Sequence, residues 1–375
     1  MNYQMQGPMG AQTVIDGRLV DYFAGCGYLG LQNHPVVRQA AVAALQTYGL
    51  ANSGGFGSNH PLYHQLEEAA CAYFGAEKML YFASGYLGNA ILAQGLQTRY
   101  DRIFIDEQAH YSVWDGARTA GKPVHAYRHS DPAHLAEMCR QELQEWERPL
   151  VMTDGVFPIS GAIAPVPELW AAVRPFDGLL CLDDAHATGV LGAQGQGTLE
   201  HFHLPTHHDL NGRFHTCHTL SKALGAYGGF IVGEAALIEE LSTYANVQEG
   251  ASRPPLPAAA AATAAFTLLS RDDSLRQQLR TNVSRARTGL RQLGWALPES
   301  PVPILCLEQR ADLDLAGIQA ELFARGVLVA HSTHYTSVPQ GGALRIAIFA
   351  THTEAQIDGL VTKLADVLIG RQRGS

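Results

Sequence analysis

His218-Thr-Leu-Ser-Lys-Ala-Leu-Gly-Ala-Tyr-Gly-Gly229 follows a short apolar run, Phe214 to Cys217, and centres on Lys222. The 375-residue chain holds only four lysines, Lys78, Lys122, Lys222 and Lys363. Lys222 alone is set among small residues and glycines, with no carboxylate beside it in sequence. A solvated surface lysine has no need of glycine neighbours. A lysine that must bond to a flat ligand does need them, because the backbone has to come close and water has to be kept out. Desolvation favours the neutral, nucleophilic amine. Read alone, the stretch has a second meaning, a lysine that opens a helix in a glycine-rich turn.

A second stretch bears on that choice. Leu179-Leu-Cys-Leu-Asp-Asp-Ala-His-Ala-Thr-Gly189 is an apolar run ending in Asp183, with His186 three residues on. It predicts a buried strand whose carboxyl end presents a carboxylate, the place where open α/β sheets hold ligand groups. A carboxylate there pairs with a pyridinium nitrogen and makes the ring an electron sink. The alternative is an aspartate that caps the next helix. Lys222 lies 39 residues beyond Asp183, about one further strand–helix–strand step. An aspartate at one strand end and a lysine after a later strand is the arrangement that pyridoxal 5'-phosphate requires.

Composition fits an enzyme of this kind. A chain of this length, 46% apolar, buries a large core and is expected to form more than one domain. Its net charge of −9 argues against nucleic-acid binding. Six cysteines lie scattered without CxxC spacing, several in apolar runs, which points to free thiols in a reducing cytoplasm. The first residues lack the basic-then-apolar pattern of a signal peptide, and no apolar run reaches membrane-spanning length.

Strands and helices alternate. Seven strands are expected, at 79–82, 102–105, 124–127, 150–153, 179–182, 214–217 and 230–232, with helices such as 61–74, 85–97 and 132–147 between them. This alternation gives an α/β fold with a seven-stranded, mostly parallel sheet. An alanine-rich helix at 257–269 and an amphipathic one at 274–293 precede short strands near 303–307, 327–330 and 344–348. The expected division is an N-terminal arm (1–30), a large domain (31–265) and a small C-terminal α/β domain (266–375).

The chain resembles the α-oxoamine synthases, fold-type I pyridoxal-phosphate enzymes that include 8-amino-7-oxononanoate synthase, glycine C-acetyltransferase and serine palmitoyltransferase. The resemblance rests on Tyr28-Leu-Gly-Leu31 with His34-Pro35, on Ser84-Gly-Tyr86, on Asp183-Asp-Ala-His186 and on Thr219-Leu-Ser-Lys222, and runs from about Gly17 to about Leu368. It implies that Lys222 bonds the cofactor, Asp183 meets the ring nitrogen, His186 touches the phenolic oxygen and His110 stacks over the ring. Phosphate contacts fall to Ser84, Gly85, Tyr86 and Thr219, and to Ser252 across a homodimer interface. Ser84-Gly85-Tyr86 also suits phosphate on its own chemistry, a hydroxyl and amides at a helix start. A plain N-cap serine is the other meaning.

Arg345 lies in an apolar strand, where an arginine is costly unless a carboxylate meets it. The resemblance assigns it the carboxylate of an amino-acid substrate; the alternative is a structural salt bridge. The implied reaction is decarboxylative condensation of that amino acid with an acyl-CoA or acyl-carrier-protein thioester, giving an α-aminoketone. An aminotransferase on the same fold and a silent assembly protein are the rivals. Two positions depart from the family. Cys26 stands where members carry an asparagine that helps hold the amino acid, and Pro158 stands where they carry an active-site serine. The segment Ser53 to Pro61 is also short. His201, His203, His207, His208 and Asp209 form a histidine-rich stretch, but Pro205 and the absence of helical spacing point to a surface loop, and no metal is expected. His60 and His64 are expected to line an entrance or cap a helix.

Overall fold

The computed structural model describes residues 3–51, 59–205, 212–310, 313–336 and 338–374. The chain forms two compact units. One comprises Pro35–Phe157 and Ile163–Arg271; the other comprises Met1–His34, Pro158–Ala162 and Asp272–Ser375.

The first unit is built on a seven-stranded sheet. Its strands run in the spatial order Lys78–Phe82, Gly229–Gly233, Phe214–Thr219, Leu179–Asp183, Pro149–Asp154, Arg102–Asp106, Val124–Tyr127. Gly229–Gly233 is antiparallel to both its neighbours, and the remaining pairs are parallel. The four strands from Gly229–Gly233 to Pro149–Asp154 are buried at every position. Helices covering both faces of a parallel sheet have that consequence, and it explains why these strands read as unbroken apolar runs. The register sets Asp154 beside Asp183 and Asp183 beside Cys217, so these three side chains lie level across the sheet.

Helix boundaries follow local chemistry. Helix Pro61–Phe74 starts on His60, whose ring accepts from the Leu62 amide, with proline in its first turn. It stops at Gly75, whose φ of 68° is left-handed and costs glycine little. The expected helix 85–97 is shorter. A 3₁₀ turn, Gly85–Leu87, leads into Gly88–Gly95, and Gly88 packs where an added Cβ would lie 2.6 Å from the Cys217 Cβ. Helix Pro132–Glu142 also ends early, because Glu147 turns back to accept from the Gln144 amide and to pair with Arg102. The alanine-rich helix Leu256–Arg271 packs against Pro35–Tyr48 and Pro61–Phe74, and its Ala259, Ala262 and Ala265 are fully buried.

The second unit holds two three-stranded sheets. Gln12–Ile15 and Arg18–Tyr22 form a hairpin turned by Asp16 and Gly17, both with positive φ (49° and 74°), as a right-twisting two-residue turn requires. This hairpin lies in the segment expected to be an arm. The expected strand 327–330 is two pieces. Val327–Leu328 pairs in parallel with Asp21 and Tyr22, then the chain changes sheets at Val329 and Ala330–Ser332 pairs with Ala343–Ala347. Ala343–Ala347 is central, flanked by Ile304–Glu308. The amphipathic helix Ser274–Gln292 buries Leu279, Val283, Ala286 and Leu290, spaced for one helical face. Among the described residues no helix is long and apolar enough to cross a membrane.

Candidate active site

Asp183 ends its strand with a carboxylate only 6% exposed. Its Oδ2 accepts from Asn89 Nδ2 at 2.7 Å and from Ser112 Oγ at 3.3 Å, and its Oδ1 accepts from the Ala185 amide at 3.0 Å. Among the described residues no cation pairs with it. A buried carboxylate held only by neutral donors is suited to a protonated ring nitrogen supplied from outside.

His186, buried in the loop after that strand, has Nε2 2.8 Å from Lys222 Nζ. Lys222 sits in the loop after Phe214–Thr219, where Gly225 takes a φ of 64° and its amide donates to the Lys222 carbonyl. The other lysines are engaged elsewhere: Lys78 beside Glu67, Lys363 beside Asp21 and Lys122 over the Tyr100 ring.

His110 caps helix Tyr111–Arg118, its Nδ1 accepting from the Ser112 amide at 3.1 Å and lying 2.7 Å from Ser112 Oγ. Its own amide donates to Asp154 Oδ2 at 2.7 Å. Burial, then Lys222, pulls the imidazole below its usual range against the opposing pull of Asp183, so the ring is neutral near pH 7. Burial, and then the neighbouring Asp183, pushes Asp154 well above the usual carboxylate range. Both effects favour the protonated form of Asp154.

Ser84 caps the 3₁₀ turn, accepting from the Tyr86 amide at 3.3 Å. Gly85 lies so close to Thr219 that an added Cβ would come within 2.7 Å of the Thr219 Cβ. Thr219 Oγ1 accepts from the Ser221 amide at 3.2 Å. Hydroxyls and turn amides thus meet beside the lysine loop, a fitting seat for phosphate. Ser252 is exposed and lines a groove of about 400 Å³ with Tyr81, Phe82 and Arg253; no hydrogen bond joins it to this cluster within the described chain.

Arg345, in the other unit, is 5% exposed. Nε donates to the Pro158 carbonyl at 2.6 Å, Nη1 to the Gly25 carbonyl at 3.1 Å, and Nη2 to Tyr28 Oη at 3.1 Å and to Cys26 Sγ at 3.6 Å. Among the described residues no carboxylate pairs with it. Pro158 is thus tied in through its carbonyl. His60 is a helix cap, and residues 52–58, His207, His208 and Asp209 lie outside the described residues.

Three contributors are not legible as site residues in the sequence: Asn89, Ser112 and Asp154. Asn89 had a signal, since it is a polar residue inside the apolar run Gly88-Asn-Ala-Ile-Leu-Ala.

The fold and this cluster define a fold-type I pyridoxal 5'-phosphate enzyme. Residues 26–364 match the family Aminotransferase class I and II. The 8-amino-7-oxononanoate synthase of Nitrosococcus oceani is 37% identical over 373 residues, 97% of this chain and 96% of that protein. Its counterpart in Methylococcus capsulatus is 36% identical over 97% of this chain and 93% of that protein. Among solved structures, serine palmitoyltransferase from S. paucimobilis with bound PLP-myriocin superposes with a TM-score of 0.89 at 23% identity, covering 99% of this chain and 93% of that one. An 8-amino-7-oxononanoate synthase from Francisella tularensis gives a TM-score of 0.78 at 22% identity, covering 94% and 99%. The chain belongs to the α-oxoamine synthases within the class I and II aminotransferase family.

Proposed function

We propose that this enzyme joins an amino acid to an acyl thioester with loss of carbon dioxide, as an 8-amino-7-oxononanoate synthase does. The reading is carried by the contact of Lys222 Nζ with His186 beside the cation-free Asp183 carboxylate, in a chain whose full-length relatives bear that name. The product named there divides into alanine's carbons without the carboxylate and a seven-carbon diacid acyl group. These are the substrates proposed here, the acyl group arriving on coenzyme A or a carrier protein.

Pyridoxal 5'-phosphate supplies an electron sink for the carbon that loses its proton. Lys222 Nζ would hold the cofactor and, when free, would take the α-proton of the amino acid as general base. His186, in contact with Nζ, orients it. Asp183 keeps a proton on the ring nitrogen, and Asn89 and Ser112 hold its carboxylate in place. The neutral His110 ring offers a flat, uncharged face. Ser84, Gly85, Tyr86 and Thr219 hold the phosphate. Arg345 takes the substrate carboxylate. Four of its five N–H donors are already engaged, so one Nη1–H remains, and the long Cys26 contact is the easiest to give up. The enzyme works in the cytoplasm as a homodimer in which the partner subunit supplies a serine equivalent to Ser252 to the phosphate.

Incubating the enzyme with alanine or glycine, with and without an acyl thioester, tests the proposal. Free thiol and carbon dioxide in equal amounts, dependent on both substrates, are expected. Formation of pyridoxamine phosphate from the amino acid alone would instead establish an aminotransferase.

A further inference from the structure

Arg345 places a positive charge in the interior of its unit, in the central strand of a three-stranded sheet, and among the described residues no carboxylate pairs with it. A buried ion left uncompensated is strongly destabilising. The carbonyls of Pro158 and Gly25 offer dipoles only. The acids around the guanidinium are few. Strand Arg18–Tyr22 contributes Tyr22, the loop after it contributes Cys26 and Tyr28, and strand Ile304–Glu308 contributes Cys306, the register partner of Arg345. On the other flank the register partner is Ala330, which carries no charge.

Three of these four acids are held protonated. Burial pushes Tyr28 well above its ordinary range, raises Tyr22, and lifts Cys306 to about 12. Cys26 differs in position: it is partly exposed, and Arg345 Nη2 is aimed at its sulfur from 3.6 Å. A guanidinium beside a thiol favours the thiolate. Among the described residues the four thiols elsewhere, Cys71, Cys139, Cys181 and Cys217, have no guanidinium at hydrogen-bonding distance. Burial pushes Cys71 up to about 11 and Cys139 up to about 12, and raises Cys181 and Cys217 further.

We propose that Cys26 is the resident counter-ion of Arg345, a thiolate at neutral pH, and that it is the thiol of this chain that captures electrophiles. It occupies the edge of the guanidinium that a substrate carboxylate would take, so its alkylation excludes the amino acid. This last step rests on the reading of Arg345 given above. With iodoacetamide, Sγ attacks the methylene carbon, an S–C bond forms, the C–I bond breaks, and iodide leaves with the bonding pair. No proton has to be lost first.

The test is alkylation of the full-length holoenzyme with iodoacetamide, followed residue by residue by peptide mass spectrometry between pH 6.5 and 8.5. The expected result is that Cys26 is labelled at least about tenfold faster than any other cysteine, with a rate that changes less than about threefold across the range. An ordinary thiol would gain roughly 50-fold over the same interval. A rate that climbs in that way, or prior labelling of another cysteine, overturns the proposal. Arg345→Gln should slow Cys26 labelling at pH 7 by about tenfold or more, while Arg345→Lys should retain most of it. The pH profile of the unaltered protein decides the matter if the glutamine variant does not fold. Alanine in the reaction should protect Cys26. A flat pH profile without protection would leave the ion pair standing and remove both the exclusion step and the carboxylate role of Arg345.

Discussion

Asn89 donates its side-chain amide to Asp183 Oδ2 across 2.7 Å, so a residue in helix Gly88–Gly95 holds a carboxylate 94 positions further along the chain. Both are almost fully buried. The amide leaves the carboxylate its charge while fixing its direction, which a cation in the same place would not do. Asp183→Asn should retain the cofactor but lower turnover by several hundredfold, about 3–4 kcal/mol, the usual effect of losing one preorganised electrostatic group. Asn89→Ala should cost less, about 1.5–3 kcal/mol for a hydrogen bond to a charged group. Steady-state turnover, with visible absorbance as the check on cofactor content, measures both. Near-normal turnover in Asp183→Asn would show that another group serves the ring nitrogen.

Lys222→Ala should abolish turnover and the visible absorbance of covalently held cofactor. Borohydride treatment followed by peptide mapping should place the reduced cofactor on Lys222 in the unaltered enzyme and on no lysine in the variant. A reducible bond that persists at Lys78, Lys122 or Lys363 would refute the assignment.

The central strands of the large sheet are legible because they are buried on both faces and read as bounded apolar runs, while Lys78–Phe82 and Val124–Tyr127 at its edges are partly exposed and are set off by the helices that alternate with them. Lys222 and Asp183 were legible because a lysine among glycines and a carboxylate at the end of such a run are unusual. Asn89 and Ser112 were not, because their role depends on which strand end their helices abut, and spacing along the chain does not encode that. The hairpin Gln12–Tyr22 is hidden in the sequence for a related reason. Its turn residues Asp16-Gly17 are a strong local signal, but its strands are half exposed and four or five residues long, and Leu19 is 64% exposed. Residues 327–330 read as a single strand because changing sheets at Val329 requires no turn residue.

The acid limb of stability should trace to His352. Its ring is 2% exposed and stacks on Phe23 at 4.0 Å. Nδ1 accepts from the Phe349 amide at 2.9 Å, which leaves the other nitrogen, 3.1 Å from the Tyr22 carbonyl, to donate. Burial lowers its pKa from 6.5 to about 4. With the folded value below the unfolded one, its contribution is complete above about pH 6.5 and is lost as pH falls through 4. The full loss is on the order of 3 kcal/mol. Urea midpoints at pH 7.5 and 4.5 should therefore differ less in His352→Gln than in the unaltered protein, although the variant is the weaker of the two at pH 7.5. An equal pH difference in both would assign the acid limb to other groups.

Light scattering at micromolar concentration should give twice the chain mass for active enzyme. Ser252→Ala should weaken cofactor retention even though Ser252 makes no hydrogen bond to the phosphate cluster of its own chain. A fully active monomer would contradict the proposed assembly.

Arg345→Ala should raise the alanine concentration needed for half-maximal turnover while leaving cofactor content unchanged. The cofactor's proposed holders, Ser84, His110, Asp183, Thr219 and Lys222, all belong to the unit that contains the seven-stranded sheet, and Arg345 belongs to the other. Losing a charge-assisted contact to a carboxylate costs on the order of 2–3 kcal/mol, which is roughly 30- to 150-fold in binding. The substitution also removes the donors that now satisfy the Pro158 and Gly25 carbonyls, so some loss of thermal stability is expected with it. Arg345→Lys separates the two effects. It keeps the charge but cannot reproduce the planar fork that reaches Pro158, Gly25 and Tyr28 together, so it should regain part of the alanine affinity while melting nearly as early as the alanine variant. Cys26→Asn puts a neutral donor beside this arginine and removes a competing anion. It should lower the alanine requirement. An alanine requirement unchanged in both Arg345→Ala and Cys26→Asn would place the substrate carboxylate elsewhere and reopen the choice of amino acid.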